Sequence, residues 1–118
     1  AGATAERGEY YRWFCCMVGR MEAAMMEKFW KLTPPPEASK SLGYGDFERV
    51  VHTIEQALTG KSYLVGAQFT AADLYLCAFL QFSYRMQVWP ESSVCRNYIQ
   101  RIEQREAYIR AMRSMETA

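Results

Sequence analysis

Apolar residues recur at three- and four-residue steps along most of this chain, the period of a buried helix face. The first such run covers about Glu6 to Leu32 and places Tyr10, Trp13, Phe14, Met17, Val18, Met21, Ala24, Met25, Phe29 and Leu32 on one side. Adding Tyr11, Cys15 and Met26 widens the apolar arc to roughly 200°, about twice what a helix packed on one neighbour needs. This helix is therefore expected to serve two interfaces, the domain's own core and something outside it. Thr33-Pro34-Pro35-Pro36 should end it, because proline lacks the N–H to continue a helix and disfavours helix in the residue before it. A loop rich in Pro, Ser and Gly then reaches Gly45. A second helix is expected over about Asp46 to Thr59, with Phe47, Val50, Val51, Ile54 and Leu58 as one stripe and Gly60 as terminator. An ordered connector, Lys61 to Phe69, carries Tyr63, Leu64 and Val65. A third helix should run from Thr70 to about Met86, a fourth from about Glu91 to Gln104 after the break at Pro90, and a last from about Arg105 to Met115. The fourth would bury Val94, Cys95, Tyr98 and Ile102, and the last would present Tyr108, Ile109, Met112 and Met115. No strand pattern is found.

The start of the third helix is the strongest local signal. Thr70 suits an N-cap, since its hydroxyl can accept from a free N–H of the first turn. Asp73, three residues on, can reach back to the Thr70 N–H as a short-armed capping box, and Phe69 and Leu74 occupy the two positions of a hydrophobic staple. The residues that follow, Tyr75-Leu76-Cys77-Ala78-Phe79-Leu80-Gln81-Phe82, are apolar nearly all round, so this helix should be central and buried. The fold class that results is all-α, a five-helix bundle around the third helix, and the whole of residues 1–118 forms a single domain.

Composition removes several function classes. The net charge of +1 gives no whole-molecule field to attract nucleic acid or an anionic membrane. Arg96, Arg101, Arg105, Arg110 and Arg113 are interleaved with Glu103, Glu106 and Glu116, the pattern of a solvated helix face. No apolar run is long enough to span a bilayer, and nothing reads as a signal peptide. The four cysteines lack zinc-binding spacing, and Cys15 and Cys16 are adjacent, where a bridge is strained; reduced thiols in a cytoplasmic protein are expected. The chain begins at Ala1 rather than Met and is read as a processed, engineered or partial product.

Little in the sequence could carry chemistry. The only histidine, His52, falls on the polar side of the second helix. Gly43-Tyr44-Gly45 lacks the strand before it and the Lys-Ser/Thr after it that a phosphate loop needs. No two carboxylates are spaced as an acid/base pair, and mid-helix Cys15 and Cys16 gain little from the helix dipole. No catalytic residue and no metal ligand is assigned. The informative set is Tyr11, Cys15, Gly19 and Glu22, which follow at four- and three-residue steps and would line one face of the first helix. Gly19 weakens a helix by up to about 1 kcal/mol against Ala, which is useful where a backbone or ligand comes close. Glu22 stands inside the apolar arc, where a charge calls for a partner or a cleft.

Three stretches carry a resemblance. Tyr63-Leu64-Val65-Gly66-Ala67-Gln68-Phe69-Thr70-Ala71-Ala72-Asp73 resembles the entry to the central helix of the helical C-terminal domain of glutathione transferases. Glu9-Tyr10-Tyr11-Arg12-Trp13 resembles the opening of that domain's first helix in bacterial members. Tyr98 to Tyr108 resembles its closing pair of helices, with Glu106 where a Pro usually stands. The resemblance implies that the intact protein adds glutathione, its co-substrate, to hydrophobic electrophiles. The glutathione site and the thiol-activating residue belong to an N-terminal thioredoxin-like domain in that family, and this chain has no βαβ pattern. It is therefore expected to bind no cofactor alone, to lack activity alone, and to have that domain, a second copy and a hydrophobic small molecule as partners, with no nucleic acid or membrane. Tyr11, Cys15, Gly19 and Glu22 would lie near the substrate cleft, and Thr70 and Asp73 would serve folding. A Cys and an acid stand at positions 15 and 22, where some bacterial members place polar residues against glutathione. Helical domains of this kind also occur as non-catalytic assembly modules in translation factors and synthetase complexes, so the alternatives are a protein-interaction module and a simple binder of hydrophobic ligands.

Overall fold

A computed structural model describes residues 2–38 and 47–117, and all regular structure in them is helical. The long first rod consists of α1 (Gly2–Cys16), a π-helical turn (Met17–Met21) and α2 (Glu22–Phe29). A short 3₁₀ turn follows at Pro36–Ala38. Then come α3 (Phe47–Leu58), α4 (Ala71–Arg85), α5 (Ser93–Glu103) and α6 (Glu106–Glu116). With the first rod counted once, the described residues form the five rods that the periodicity predicts. The Gly43-Tyr44-Gly45 stretch and the expected helix start at Asp46 lie outside the described residues.

The first rod stops at Phe29, earlier than the prolines require. Lys31 takes a left-handed φ of 56°, its N–H donates to the Lys28 carbonyl (3.2 Å), and the Leu32 N–H donates to the Glu27 carbonyl (2.9 Å). These two bonds satisfy the last carbonyls of the helix before Pro34 is reached. α4 ends the same way at Gln87, φ 60°, with the Val88 N–H on the Ser83 carbonyl (3.0 Å). Neither stop carries glycine, so composition concealed both. Gly60, by contrast, terminates α3 as expected, with φ 74°. α5 begins two residues later than its apolar pattern suggests. Ser92 is the N-cap, its hydroxyl accepting from the Cys95 N–H at 3.3 Å.

α4 is the axis of the bundle. It packs on α5 and on α1, while α3 closes the core against α2 and α5. The α3 stripe of Phe47, Val50, Val51, Ile54 and Leu58 is buried throughout, each such side chain contributing about 1.5–3 kcal/mol relative to exposure. Trp89, from the turn after α4, is wedged edge-on between Phe47 and Phe79. Leu64 and Val65 of the connector are buried with them. α5 buries Cys95, Tyr98, Ile99 and Ile102. α6 buries nothing: Ile109, Met112 and Met115 remain exposed.

The connector is anchored by one carboxylate. Asp73 is fully buried, and its Oδ1 accepts from the Leu64 N–H (2.9 Å) and from the Tyr98 hydroxyl (2.7 Å). Its Oδ2 accepts from the Thr70 N–H at 3.0 Å. Thr70 and Asp73 are thus placed as a capping box, but only the Asp73 half closes with good geometry. The Asp73 N–H goes to the Thr70 carbonyl (3.0 Å), and the Thr70 hydroxyl oxygen is buried without a partner. The expected staple is also altered. Leu74 is 54% exposed, and Phe69 is held by the Tyr63 ring and by the Arg105 guanidinium stacked 3.6 Å from its centroid.

Candidate functional site

The apolar character of α4 all round its circumference predicts complete burial, yet one strip of it is bare. Leu74, Ala78 and Phe82 follow at four-residue steps and are all exposed, while Ala72, Leu76, Phe79 and Leu80 on the other side are buried. Beside this strip runs the outer face of α2. Between them lies an open groove of about 500 Å³, lined by Glu22, Met25, Met26, Tyr75, Ala78, Phe79 and Phe82. Among the described residues its only ionisable lining groups are Glu22 and Tyr75, and the Tyr75 hydroxyl donates to the Glu22 Oε1. Tyr75 is itself held by the Phe14 ring, 5.8 Å between centroids. The partner that an acid inside an apolar arc requires is therefore a phenol from the central helix.

The four residues singled out on the first helix do not share this groove. Tyr11 is 60% exposed, Cys15 and Gly19 are exposed, and Glu22 alone reaches the lining. The π turn separates them: the Glu22 N–H donates to the Met17 carbonyl, five residues back. That turn takes up one extra residue, which offsets the face beyond Met21 by about 100° from the one an unbroken α-helix would present. Three- and four-residue counting from Tyr11 to Glu22 assumes a constant pitch, so it could not register the offset. Among the described residues, a Cβ on Gly19 would meet nothing within 4 Å, so no described backbone comes close there.

Tyr75, Ala78 and Phe82 escaped the sequence reading because they sit in a run apolar enough to be taken for core. Two signals were available. A tyrosine hydroxyl in such a run needs a partner, and Leu74, Ala78 and Phe82 form a second stripe opposite the first.

The two buried cysteines are poor nucleophiles. Burial, with the charges of Glu103 and Asp73 nearby, pushes the Cys77 thiol up to about 12, and burial likewise raises Cys95. Both are protonated at neutral pH and inert as nucleophiles. Cys15 is exposed and Cys16 half-buried. Burial and the hydrogen bond to Asp73 raise the Tyr98 phenol well above its usual range, which keeps it a donor. Among the described residues no group of three His, Cys, Asp or Glu side chains could hold a metal ion, and no helix is long and apolar enough to cross a membrane.

The described residues form an all-helical bundle built on a central helix that opens at Thr70, with a bare apolar strip on that helix. Residues 16–106 match the family described as glutathione S-transferase, C-terminal domain, and the chain belongs to that family. No curated protein and no solved structure matches it.

Proposed function

We propose that this chain supplies the helical part of a cytoplasmic glutathione transferase-type enzyme. It would form one wall of the hydrophobic electrophile site and part of the contact between subunits. A thioredoxin-like domain would bring glutathione and the thiol-activating side chain. The observation that carries this reading is the bare strip Leu74–Ala78–Phe82 on an otherwise buried helix, running beside Met26 and Glu22. A contiguous apolar patch of this kind on a folded domain marks an interaction or ligand surface. Tyr11 and Cys15 lie further along the same rod, exposed on a face offset from the groove. Conjugation is assigned to the assembled enzyme.

Glutathione conjugation of a standard aryl halide tests this directly. The purified 118-residue chain should show none, and the protein isolated from its native source should show it. Conjugation by the chain alone would overturn the division of labour. Absence from the native protein would overturn the transferase reading. It would favour the non-catalytic interaction module, for which the exposed Ile109, Met112 and Met115 of α6 are a second apolar surface.

A further inference from the structure

We propose that the groove between α2 and α4 selects lipophilic aryl cations, amine-bearing aromatic compounds above all, over neutral and anionic compounds of the same shape. This rests on the reading of that face as the electrophile wall and names the substrate class it would admit. The groove has the size of a pocket for a small aromatic molecule. Its walls offer Phe79 and Phe82 for edge and face contacts and the exposed Met26 thioether, which packs well against rings. Among the described residues one charged group stands in it, the Glu22 carboxylate, and no Lys, Arg or His shares the lining. Among the described residues Glu22 makes no ion pair, and the Tyr75 hydroxyl is its hydrogen-bond donor. A carboxylate has about four lone-pair sites, so one phenol leaves most of its acceptor capacity open. A ligand ammonium would complete it with a charge-assisted bond, formed where the apolar walls limit competition from water. A ligand carboxylate would meet like charge there. Glutathione, with two carboxylates and one ammonium, carries the wrong net charge for this groove and would lie outside it.

Three probes of one shape separate the terms: naphthylmethylammonium, naphthylmethanol and naphthylacetate, titrated into the full chain at low salt and followed by ligand-observed NMR. The ammonium should bind about tenfold more tightly than the alcohol, the upper end for a half-exposed pair, and naphthylacetate most weakly. Glu22→Gln should reduce the preference to within about twofold, and Glu22→Lys should invert it toward naphthylacetate, with circular dichroism confirming that both variants are folded. Tyr75→Phe frees an acceptor site and should hold or increase the preference. Equal affinities for the three probes, or a preference untouched by Glu22→Gln, would overturn the charge selection and leave the apolar wall standing. Failure of all three to bind would overturn the groove as a ligand site. Selection of the ammonium by a protein whose native form conjugates no aryl halide would sustain the groove and remove the transferase reading instead.

Discussion

Asp73 and Tyr75 stand two residues apart on α4, and each takes part in a carboxylate–tyrosine hydrogen bond on opposite sides of the helix. On the inner side the Asp73 carboxylate is fully buried and saturated by the Leu64 N–H, the Thr70 N–H and the Tyr98 hydroxyl. On the outer side the Glu22 carboxylate is half-buried, has the Tyr75 hydroxyl, and faces an open apolar groove. The chemistry of the two pairs is the same and their surroundings differ. A buried carboxylate is tolerated only when its lone pairs are filled, and the groups that fill it become fixed by it. Asp73 thereby ties the connector, the start of α4 and α5 into one unit. A carboxylate at a groove with spare acceptor capacity has no comparable hold on the fold and is free to recognise something else.

Breaking the inner pair should have the largest effect. Asp73→Ala strands two backbone N–H groups and a buried phenol, so a loss of at least about 3 kcal/mol is expected, more than a surface cap would give. Thermal denaturation would read it as a fall in Tm of the order of 10 °C or more. An unchanged Tm would mean that the three bonds are not formed in solution. Tyr98→Phe removes one donor of three and should lower stability by about 1.5–3 kcal/mol by urea denaturation. Glu22→Gln should change stability by no more than about 0.5 kcal/mol, because its pair is half-exposed. A loss as large as that of Tyr98→Phe would erase the contrast between the two sides.

Alkaline pH sharpens the same contrast. Cys77 and Tyr98 have folded-state values raised above their unfolded ones, and both lie on the inner side. The unfolded chain therefore releases these protons first, beginning near pH 9.0 for Cys77 and 10.0 for Tyr98. Their contribution is complete below those values and is lost as pH rises toward the folded-state ones. Stability should be level up to about pH 9 and fall between there and about 12, the raised value of Cys77. Cys95 is raised by burial as well, so replacing both Cys77 and Cys95 by Ser should move the onset of the fall toward that of Tyr98. A fall of the same shape in the triple variant Cys77→Ser, Cys95→Ser, Tyr98→Phe would assign it to other groups.

Much of this molecule was legible in one dimension. The α3 stripe, the terminator at Gly60, the cap position at Thr70 and the requirement that Glu22 have a partner all follow from local rules of period, backbone freedom and desolvation. What these rules could not supply was anything that depends on a second segment. Asp73 was legible as a cap but not as the ligand of Leu64 and Tyr98, nine and twenty-five residues away. Lys31 and Gln87 adopt left-handed backbone because the turns around them require it, against their own preference. The π turn at Met17–Met21 leaves no mark in residue spacing, yet it separates Tyr11 and Cys15 from the face on which Glu22 finds its groove.

The sequence by itself determined the class of the fold, because apolar period and capping chemistry are properties of neighbours along the chain. It also determined that an acid would need company in the arc of the first helix. Only the tertiary structure decided which company. Tyr75 meets Glu22 across fifty-three residues, and the strip Leu74–Ala78–Phe82 lies bare because no other described helix covers it. The free energy of a buried or exposed group depends on what packs against it in space. The same apolar helix can therefore hold a core on one side and offer a binding surface on the other.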